Sequence, residues 1–339
     1  MSYLNPLEVW FVNVGHGDST IVRFPSGRIM MLDINNCKVL DTETQGELLE
    51  AIGVGVMEKM LFSQGAYSLS FNEAARMKKY EDLLEDPVAV LKNRVFMADE
   101  GEIFRFVTSH PDLDHISGLY RLHYQEPNIS IPHFWDTANS KSISSFKNRD
   151  DELNWLAYQD MRGSSVPPQT LHKYRGDTGE YWSHDNTTVL SPTPEIVLDA
   201  NSREDWNHLS YVFHISHGSS SIILPGDASI AAQKEIVESY GANLASVVLK
   251  APHHGRDSGF CKEFASLVSP DYTIVSVGKK PSTDASNKYR QHTRHRVLST
   301  RFQGTMHLKM HYDGSLELYN HKFERLDLHQ DVSTQKAGR

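Results

Sequence analysis

Six consecutive residues of this sequence concentrate side chains that bind metals. The segment His110-Pro-Asp-Leu-Asp-His115 holds two imidazoles and two carboxylates, and it follows a short apolar strand predicted at 103–108. Imidazole and carboxylate groups are protein ligands of divalent metals, so this segment predicts a metal site that residues from elsewhere complete. The alternative is helix capping, because Asp112 or Asp114 could accept the free N–H groups of a following helix. Capping explains one aspartate and leaves the other polar side chains unexplained.

Two further predicted strands end in side chains of the same kind. The apolar run at 222–224 leads to Asp227, and the run at 247–249 leads through Lys250 to His253 and His254. The chain has 18 histidines in 339 residues, and histidine is the commonest metal ligand. Three strands that end in ligand-type residues predict a site at those strand ends.

The elements that must position these residues are strands at both ends of the chain with helices between them. Strands are predicted at 7–14, 20–24 and 28–34, and they return between 187 and 310 around a helix at 231–240. Residues about 43–94 have helical periodicity and form a predicted insertion, whereas about 136–186 is typical of loops and short helices. The pattern predicts an α/β layered protein with a single domain at 1–325 and a polar tail at 326–339.

Composition and charge exclude several classes of protein. With 39% hydrophobic and 23% charged residues, the chain is typical of a folded protein and not of a disordered one. We find no cationic leader and no run of about 18 apolar residues, so neither a signal peptide nor a membrane span is predicted. Only two cysteines occur, which favours the cytoplasm. The formal charge of −9 means that any nucleic-acid binding must be local.

The order of these motifs resembles the metallo-β-lactamase fold, an αββα sandwich whose ligands lie on loops at one edge of its two sheets. The resemblance is to the hydrolase domain of ComEC-type competence proteins and their free-standing relatives, and it covers roughly residues 7–315. Tyr289-Arg290-Gln291-His292 loosely resembles a later Tyr-Gly-His-Pro element. The other matching segments are Val12-Asn13-Val14-Gly15-His16-Gly17-Asp18, Met31-Leu32-Asp33, His110 to His115, Asn207-His208-Leu209-Ser210, Pro225-Gly226-Asp227 and Leu249 to Gly255.

This resemblance implies a site for two divalent metal ions, zinc or manganese. Asp18 and Asp33 are then expected to orient ligands by accepting their ring N–H protons. The implied ligands are His110, Asp112 and the candidate His208 for the first ion, Asp114, His115 and one of His253 and His254 for the second, and Asp227 for both.

One position departs from the usual family motif, His-x-His-x-Asp-His. Asp112 stands at its third position, so a charged oxygen donor replaces a neutral imidazole. The added negative charge shifts the expected preference from zinc towards manganese or another harder ion. Loss of the first ion is the alternative outcome.

The resemblance also implies a mechanism. Two ions that share a bridging water lower its pKa, so hydroxide is available at neutral pH without a protein nucleophile. The histidine of the 253–254 pair that is not a ligand, or else His292, is expected to donate a proton to the leaving alkoxide, and Lys250 to contact a phosphate. The alternative for Lys250 is a solvated lysine at a strand end. The candidate catalytic residues are Asp114, His254, His292 and Lys250.

Two groups of residues suggest contact with nucleic acid, and each has a simpler explanation. The aromatic residues Trp135, Trp155, Tyr181 and Trp182 could stack on bases or pack in the core. The basic stretch could bind phosphates or form the solvated face of a helix. It consists of Lys288, Arg290, Arg294, His295, Arg296 and Arg301.

Three classes of function remain open. The first is a metal-dependent phosphodiesterase or nuclease that uses a metal-bridging hydroxide. The second is a hydrolase of a smaller ester such as a phosphocholine, cyclic nucleotide or lactone, and the third is a non-catalytic partner protein with a degenerate metal site. A ComEC-type domain normally accompanies a membrane channel and this chain carries none, so we expect a free cytoplasmic enzyme with no membrane contact, with a protein of a defence or repair system as the candidate partner. The sequence does not indicate an oligomeric state.

Overall fold

The computed structural model describes residues 5–35, 40, 42–277 and 284–327. The predicted tail therefore lies outside the described residues from 328 onward. In chain order the strands of the described part are β1 (Leu7–Phe11), β2 (Thr20–Arg23), β3 (Ile29–Leu32), β4 (Gly101–Glu102), β5 (Arg105–Val107), β6 (Ile129–Ser130), β7 (His133–Trp135), β8 (Gln169–Leu171), β9 (Thr187–Ser191), β10 (Val212–His217), β11 (Ser220–Leu224), β12 (Val248–Lys250), β13 (Tyr272–Val275), β14 (Arg296–Ser299), β15 (Met306–Met310) and β16 (Leu316–Tyr319).

Helices connect these strands, and two short π-helical turns at Leu91–Phe96 and Arg121–Gln125 extend the connections. Within the described residues, no helix is long and apolar enough to cross a membrane. In chain order the α-helices are α1 (Thr42–Ala51), α2 (Val56–Ser63), α3 (Phe71–Glu81), α4 (Pro87–Val90), α5 (Leu113–Ile116), α6 (Arg149–Arg162), α7 (Glu180–His184), α8 (Pro194–Arg203), α9 (Ile230–Tyr240), α10 (Lys262–Val268), α11 (Ser286–Arg290) and α12 (Thr300–Gln303).

Two large sheets contain nearly all of these strands. The first has the order β16-β15-β1-β2-β3-β5-β7-β8, and the second has the order β14-β13-β12-β11-β10-β9. In the first sheet, β3, β5, β7 and β8 run parallel to one another, and in the second sheet β11, β12, β13 and β14 do the same. The antiparallel meander of β1 to β3 confirms the prediction for the start of the chain.

The two sheets pack face to face, and each sheet also has a core on its outer face, because successive side chains of a strand point to opposite faces. In β1, Val9 and Phe11 enter the core between the sheets, while Trp10 enters a second core on the outer face of the first sheet. In β11, Ile222 faces the central core and Ile223 faces a third core beneath α9 and α10. Helices thus cover both outer faces, and the fold is the predicted αββα sandwich.

The predicted helical insertion corresponds to α1 to α4. The first three of these helices bury a small core of their own, which includes Leu48, Leu49 and Met77. As expected for proline in a first helical turn, Pro87 begins α4, and the Asp86 carboxylate caps it by accepting from the Val88 N–H.

The segment 136–186 is more ordered than its sequence suggested. It contains the 14-residue helix α6, and β8 within it adds an edge strand to the first sheet. Only one side of α6 is apolar, where Trp155, Tyr158 and Met161 are buried, and its first turn is acidic. Because so few positions of α6 are apolar, the helical periodicity of hydrophobic residues in this part of the sequence is weak.

Candidate metal centre

Loops that follow five strands converge at one edge of the sandwich. Because β3 and β5 are parallel, as are β11 and β12, their carboxyl ends open towards the same edge. The loop after β1 also reaches this edge. These loops supply His16 and Asp18 after β1, Asp33 after β3, His110 to His115 after β5, Asp227 after β11, and His253 and His254 after β12.

Two backbone approaches at this edge require glycine. Gly17 has a positive φ of 104°, and a Cβ there would lie 2.3 Å from the backbone oxygen of Asp114. Gly255 has a φ of 88°, and a Cβ there would lie 2.6 Å from a methyl carbon of Val275. Glycine adopts such conformations without steric cost, so the two loops close tightly on the cluster.

The centre of the cluster is a buried group of His110, His115 and Asp227, whose ligand-type atoms all lie within 4.8 Å of one another. The Nε2 atom of His115 is 3.3 Å from Oδ2 of Asp227. The same carboxylate oxygen is 3.3 Å from Nε2 of His254. Asp227 therefore lies between two imidazoles, and its role as a bridging ligand stays a prediction.

A second group of ligand-type atoms adjoins the first and consists of His16, Asp114 and His254. Oδ2 of Asp114 is 3.1 Å from Nε2 of His16 and 3.3 Å from Nε2 of His254. Since His254 contacts both Asp114 and Asp227, it links the two groups into one continuous centre.

A hydrogen bond behind the cluster fixes the orientation of the His115 ring. Asp33 Oδ2 lies 2.8 Å from Nδ1 of His115, and the Asp33 carboxylate also accepts from the backbone N–H and hydroxyl of Ser109, both at 2.6 Å. This is the position expected of a carboxylate that orients a metal ligand through the ring N–H. Asp18 Oδ1 lies 3.6 Å from Nδ1 of His254, which is too long for a hydrogen bond, so the orienting role of Asp18 stays a prediction.

Lys250 and Ser276 hold Asp18 in turn. The Lys250 ammonium lies 2.8 and 2.9 Å from the two Asp18 oxygens, and the Ser276 hydroxyl donates to Oδ1 at 3.0 Å. Only 4% of Lys250 is exposed, so it is not the solvated lysine that the sequence allowed. Its charge is already paired, and its predicted contact with a phosphate stays a prediction.

The directions of the pKa shifts in the cluster show that its carboxylates favour a positive charge beside them. Burial alone would raise the pKa of Asp227 and of Asp114, but the neighbouring imidazoles outweigh burial and hold both pKa values well below the usual range. Burial alone would lower the pKa of His115 and of His254, but the carboxylates, Asp227 first, raise both pKa values well above the usual range. A divalent cation bound among these carboxylates would supply the same positive charge.

The donor atoms fit such a cation. Among the described residues, Nε2 of His110, Nε2 of His115 and Oδ1 of Asp227 are buried without a hydrogen-bond partner. Leaving buried polar atoms unpaired costs free energy, about 1–3 kcal/mol each, unless a ligand satisfies them. Two imidazole nitrogens and a carboxylate are a donor set for zinc or manganese. The centre is therefore a divalent metal site in its chemistry.

His253 and His254, the consecutive histidines after β12, differ in their surroundings. Nε2 of His253 is 3.9 Å from Oδ2 of Asp227, and its Nδ1 shares a hydrogen bond of 3.0 Å with the Ser258 hydroxyl. Both residues have positive φ angles, 49° and 60°, which cost free energy for side chains other than glycine. The closer contacts of His254 favour it as the ligand and leave His253, which is partly exposed, at the mouth of the site.

Three other predicted site residues lie outside the compact groups of ligand-type atoms. Of the three ligand-type groups in the described residues, none includes Asp112, His208 or His292. His208 lies 2.9 Å through Nδ1 from the Ser229 hydroxyl and 3.5 Å through Nε2 from Asp199. His292 lies 3.0 Å from the Ser266 hydroxyl. The metal-binding role of His208 and the proton-donor role of His292 stay predictions.

Asp112 lies at the rim of the cluster and contacts Lys141. One of its oxygens is in an ion pair with the Lys141 ammonium, and the other is 3.5 Å from Nε2 of His110. Asp112 also precedes α5 directly, but its side chain makes no capping hydrogen bond there. The capping explanation is therefore wrong for Asp112.

His16 is a cluster residue that the sequence analysis left without a role. A guanidinium nitrogen of Arg256 lies 3.1 Å from its Nδ1. Arginine can only donate, so Nδ1 accepts, and the neutral ring carries its proton on Nε2, which faces Asp114. The one available signal was the position of His16 between two glycines in the loop that follows the buried strand β1.

Most of the residues considered for contact with nucleic acid make other contacts in the described structure. Trp135, Trp155 and Trp182 are buried, so the alternative of packing in the core holds for them and stacking on bases does not. Tyr181 is 47% exposed, and the Arg28 guanidinium covers its ring at 5.2 Å. In the basic stretch, ion pairs join Lys288 to Asp257 at 2.9 Å, Arg294 to Asp271 at 2.6 Å and Arg301 to Glu47.

Comparison with known proteins finds two curated relatives, and no family model matches the chain. Over 116 residues the chain is 28% identical to competence protein ComA of Neisseria gonorrhoeae, a match that covers 33% of this chain and 16% of ComA. Over 188 residues it is 23% identical to the uncharacterized protein YcaI of Escherichia coli strain K12, covering 54% of this chain and 20% of YcaI. The matches thus span a fifth or less of the length of these relatives.

Three solved structures are similar to this chain at low identity. A variant of the β-hydroxylase CmlA has a TM-score of 0.43 at 10% identity, and the match covers 90% of this chain and 54% of CmlA. The β-lactamase-superfamily hydrolase AbOPH has a TM-score of 0.32 at 11% identity, with 69% of this chain and 71% of AbOPH covered. A long form RNase Z from yeast has a TM-score of 0.35 at 12% identity, with 88% of this chain and 41% of RNase Z covered. Similarities of this strength carry no argument about activity.

The sheet order and the buried cluster at the sheet edge decide the class of protein. Two facing mixed sheets, helices on both outer faces and a His/Asp centre on the connecting loops define the metallo-β-lactamase fold. The match to a competence protein agrees with the ComEC-type resemblance of the motifs.

Proposed function

We propose that this protein is a metal-dependent phosphodiesterase. The observation that carries the proposal is the buried group of His110, His115 and Asp227, whose unpartnered donor atoms converge at a sheet edge that opens to solvent beside His253. A hydrolase of this kind needs no serine or cysteine nucleophile, because a bound divalent ion acts as a Lewis acid and lowers the pKa of water.

The residues of this chain divide the work of such a centre. His110, His115 and Asp227 would hold one ion, and Asp114, His254 and Asp227 would hold a second. Asp33 keeps the ring of His115 oriented from behind, and Asp18, 3.6 Å from the His254 ring, would orient that ring if it moved closer. His16 directs its Nε2–H to Asp114, which fixes the carboxylate that faces the second position. The buried surroundings exclude bulk water from these contacts and strengthen them.

A phosphodiester is the substrate that suits this charge distribution. The carboxylates of the centre suit hard divalent ions, which also bind and neutralise phosphate oxygens. A chain with a net charge of −9 gives an anionic substrate no overall electrostatic attraction, so a cationic metal centre would supply the local attraction. His253, at the mouth, lies where a leaving alkoxide could take a proton, and we assign it as the candidate general acid.

Nucleic acid and a small diester are both candidate substrates. Similarity to a competence protein supports nucleic acid. The paired charges of the basic stretch and the buried tryptophans instead support a small diester, because a polymer needs a longer cationic and aromatic track. We therefore propose phosphodiester cleavage as the reaction and nucleic acid as the first polymer to be tested.

The test is hydrolysis by metal-stripped protein to which manganese or zinc is returned. The two substrates are bis(p-nitrophenyl) phosphate and a labelled single-stranded DNA, and Asp227→Ala is measured beside the wild type. We expect metal-dependent cleavage of at least the small diester by the wild type alone. Cleavage of a carboxylic ester but neither diester would support the small-ester class, and metal binding without any hydrolysis would support a non-catalytic partner.

A further inference from the structure

The loop that follows β7 places Lys141 against Asp112 at the rim of the metal centre. The Lys141 ammonium pairs with Oδ1 of Asp112, while Oδ2 faces Nε2 of His110 at 3.5 Å. One carboxylate is thus shared between an ammonium and an imidazole that belongs to the central group. Lys141 contributes no metal ligand, so nothing in the centre requires a lysine at this place.

The position of Lys141 is fixed by the structure around it. Its backbone N–H donates to Oδ1 of Asn139 at 3.1 Å, and the Asn139 amide donates to the Tyr158 hydroxyl at 2.6 Å. The neighbouring Ser140 N–H donates to Asn201 at 2.8 Å. At the other end of the side chain, the ammonium lies 6.0 Å from the centre of the Trp206 ring. This is a supported side chain, and 16% of it is exposed.

The charge of Lys141 acts on the first metal position. Asp112 is the carboxylate that the motif assigns to the first ion, yet it lies outside the compact groups of ligand-type atoms. A divalent cation and an ammonium cannot both use one carboxylate at full strength, because each repels the other at short distance. In the described contacts no lysine or arginine pairs with the ligand atoms of Asp114 or Asp227, whose partners are imidazoles that become neutral ligands when a metal binds.

We propose that Lys141 weakens the first metal position by holding Asp112, so that the protein binds two divalent ions with unequal affinity. The inference rests on the proposed metal centre and adds the regulation of its occupancy. The tight ion is held by the donors around Asp227 and His254. The weak ion binds when Asp112 turns from Lys141 towards His110.

The experiment measures binding of Mn²⁺ to the metal-stripped protein of residues 1–339 by calorimetric titration, with free Mn²⁺ followed by electron paramagnetic resonance. We expect one tight and one weak site in the wild type. Lys141→Met should raise the affinity of the weak site at least about tenfold while leaving the tight site unchanged. Lys141→Arg keeps the charge and should keep the weak site weak.

Two further variants assign the effect to Asp112. Asp112→Asn should remove the weak site, and adding Lys141→Met to Asp112→Asn should not restore it. Lys59→Met, which removes a lysine paired with Glu50 in the helical insertion, is the matched control and should bind as the wild type does. Circular dichroism and thermal melting establish that each variant is folded.

The outcomes separate this inference from the proposed function. Equal binding curves for the wild type and Lys141→Met, with hydrolysis intact, overturn the inference alone. The same tightening in Lys141→Arg as in Lys141→Met also overturns it, since the charge would then not be the cause. Absence of Mn²⁺ and Zn²⁺ binding in the wild type overturns both the inference and the proposed metal centre.

Discussion

Oδ2 of Asp33 lies 2.8 Å from Nδ1 of His115, on the side of the ring away from the cluster. This contact places the ring proton on Nδ1 and directs Nε2 towards Asp227, 3.3 Å away. Asp33, which follows the apolar strand β3 of the first sheet, thereby orients the Nε2 donor atom of His115 at the sheet edge. Asp18 lies in a similar place behind His254, at 3.6 Å from its Nδ1, a distance too long for a hydrogen bond.

Replacing Asp33 by asparagine tests this relation. The amide side chain of Asp33→Asn would offer one acceptor oxygen in place of two, and its NH₂ group would compete with the Ser109 donors, so the His115 ring loses its fixed tautomer. We expect Asp33→Asn to weaken metal binding about 10- to 100-fold. Titration with Mn²⁺ measures the change, and Asp271→Asn, at a surface ion pair with Arg294, is the control. Wild-type affinity in Asp33→Asn would show that the contact does not orient a ligand.

The role of His16 gives a second prediction. His16 accepts from Arg256 and donates to Asp114, so a substitute needs an acceptor and a donor on a planar side chain. Glutamine has both and alanine has neither. We expect His16→Ala to lower the rate of diester hydrolysis about tenfold or more, and His16→Gln to retain most of it. Equal losses in the two variants would indicate that the imidazole itself, and not its hydrogen bonds, is required.

A buried ion pair on the first sheet gives a prediction about stability alone. Asp185 holds the guanidinium of Arg105 at 2.6 Å and that of Arg28 at 2.7 Å. Burial lowers the pKa of Arg105 to about 10 despite this partner, so its charge depends on Asp185. We expect Asp185→Asn to lower the free energy of unfolding by about 3–5 kcal/mol, because it leaves a buried cation unpaired.

Urea denaturation measures this loss. The control is Asp199→Asn, whose ion pair with Arg203 is half exposed, and we expect it to change the free energy of unfolding by less than about 1 kcal/mol. A change in Asp185→Asn as small as that of the control would mean that Arg105 finds water or another acceptor.

Acid stability gives a prediction away from the metal centre. Burial alone would raise the pKa of Glu8, but hydrogen bonds from His307, at 2.7 Å, and from Arg23 lower it from 4.5 to about 2. The unfolded chain therefore binds this proton more readily than the folded protein does. The stabilisation is present above about pH 4.5 and is lost as the pH falls from 4.5 towards 2.

Glu8→Gln should remove that pH dependence. We expect the difference in unfolding free energy between the wild type and Glu8→Gln to shrink by about 2–3 kcal/mol as the pH falls through this range. Denaturation at several pH values measures it, and comparing the two proteins at each pH cancels the loss of metal that both undergo in acid. A difference that stays constant with pH would contradict the lowered pKa.

The sequence predicted the fold, and it marked residues that the fold brings together in the cluster, because both depend on local patterns. Apolar strands that end in His110, Asp227 and His254 are recognisable by residue type and order alone. Glycine at 17 and 255 marks the loops that close on them. The helical insertion was predictable because its helices carry their own periodic apolar positions.

The residues that sequence reasoning missed depend on contacts between distant segments. Lys141 stands 29 residues after Asp112, in a segment whose periodicity is weak, and nothing local indicates that its loop folds back over the site. Trp135 and Trp182 are of a residue type that is common at nucleic-acid binding surfaces, but they lie in the core between the sheets. In the sequence the basic stretch contains no acidic residues, so its charges look unpaired. In the fold, Asp257, Asp271 and Glu47 from other segments form ion pairs with three of its residues.

Anomalous diffraction from crystals soaked in Mn²⁺ tests the central claim most directly, because it locates the ion without assuming any activity. At saturating Mn²⁺ we predict a peak within about 2 Å of Nε2 of His110, Nε2 of His115 and a carboxylate oxygen of Asp227. We also predict a peak near Asp114 and His254, where the tight ion is expected, and the two peaks together would show that the centre holds two ions. Crystals that bind Mn²⁺ elsewhere and show no peak among His110, His115 and Asp227 would contradict the claim that this cluster is a metal centre.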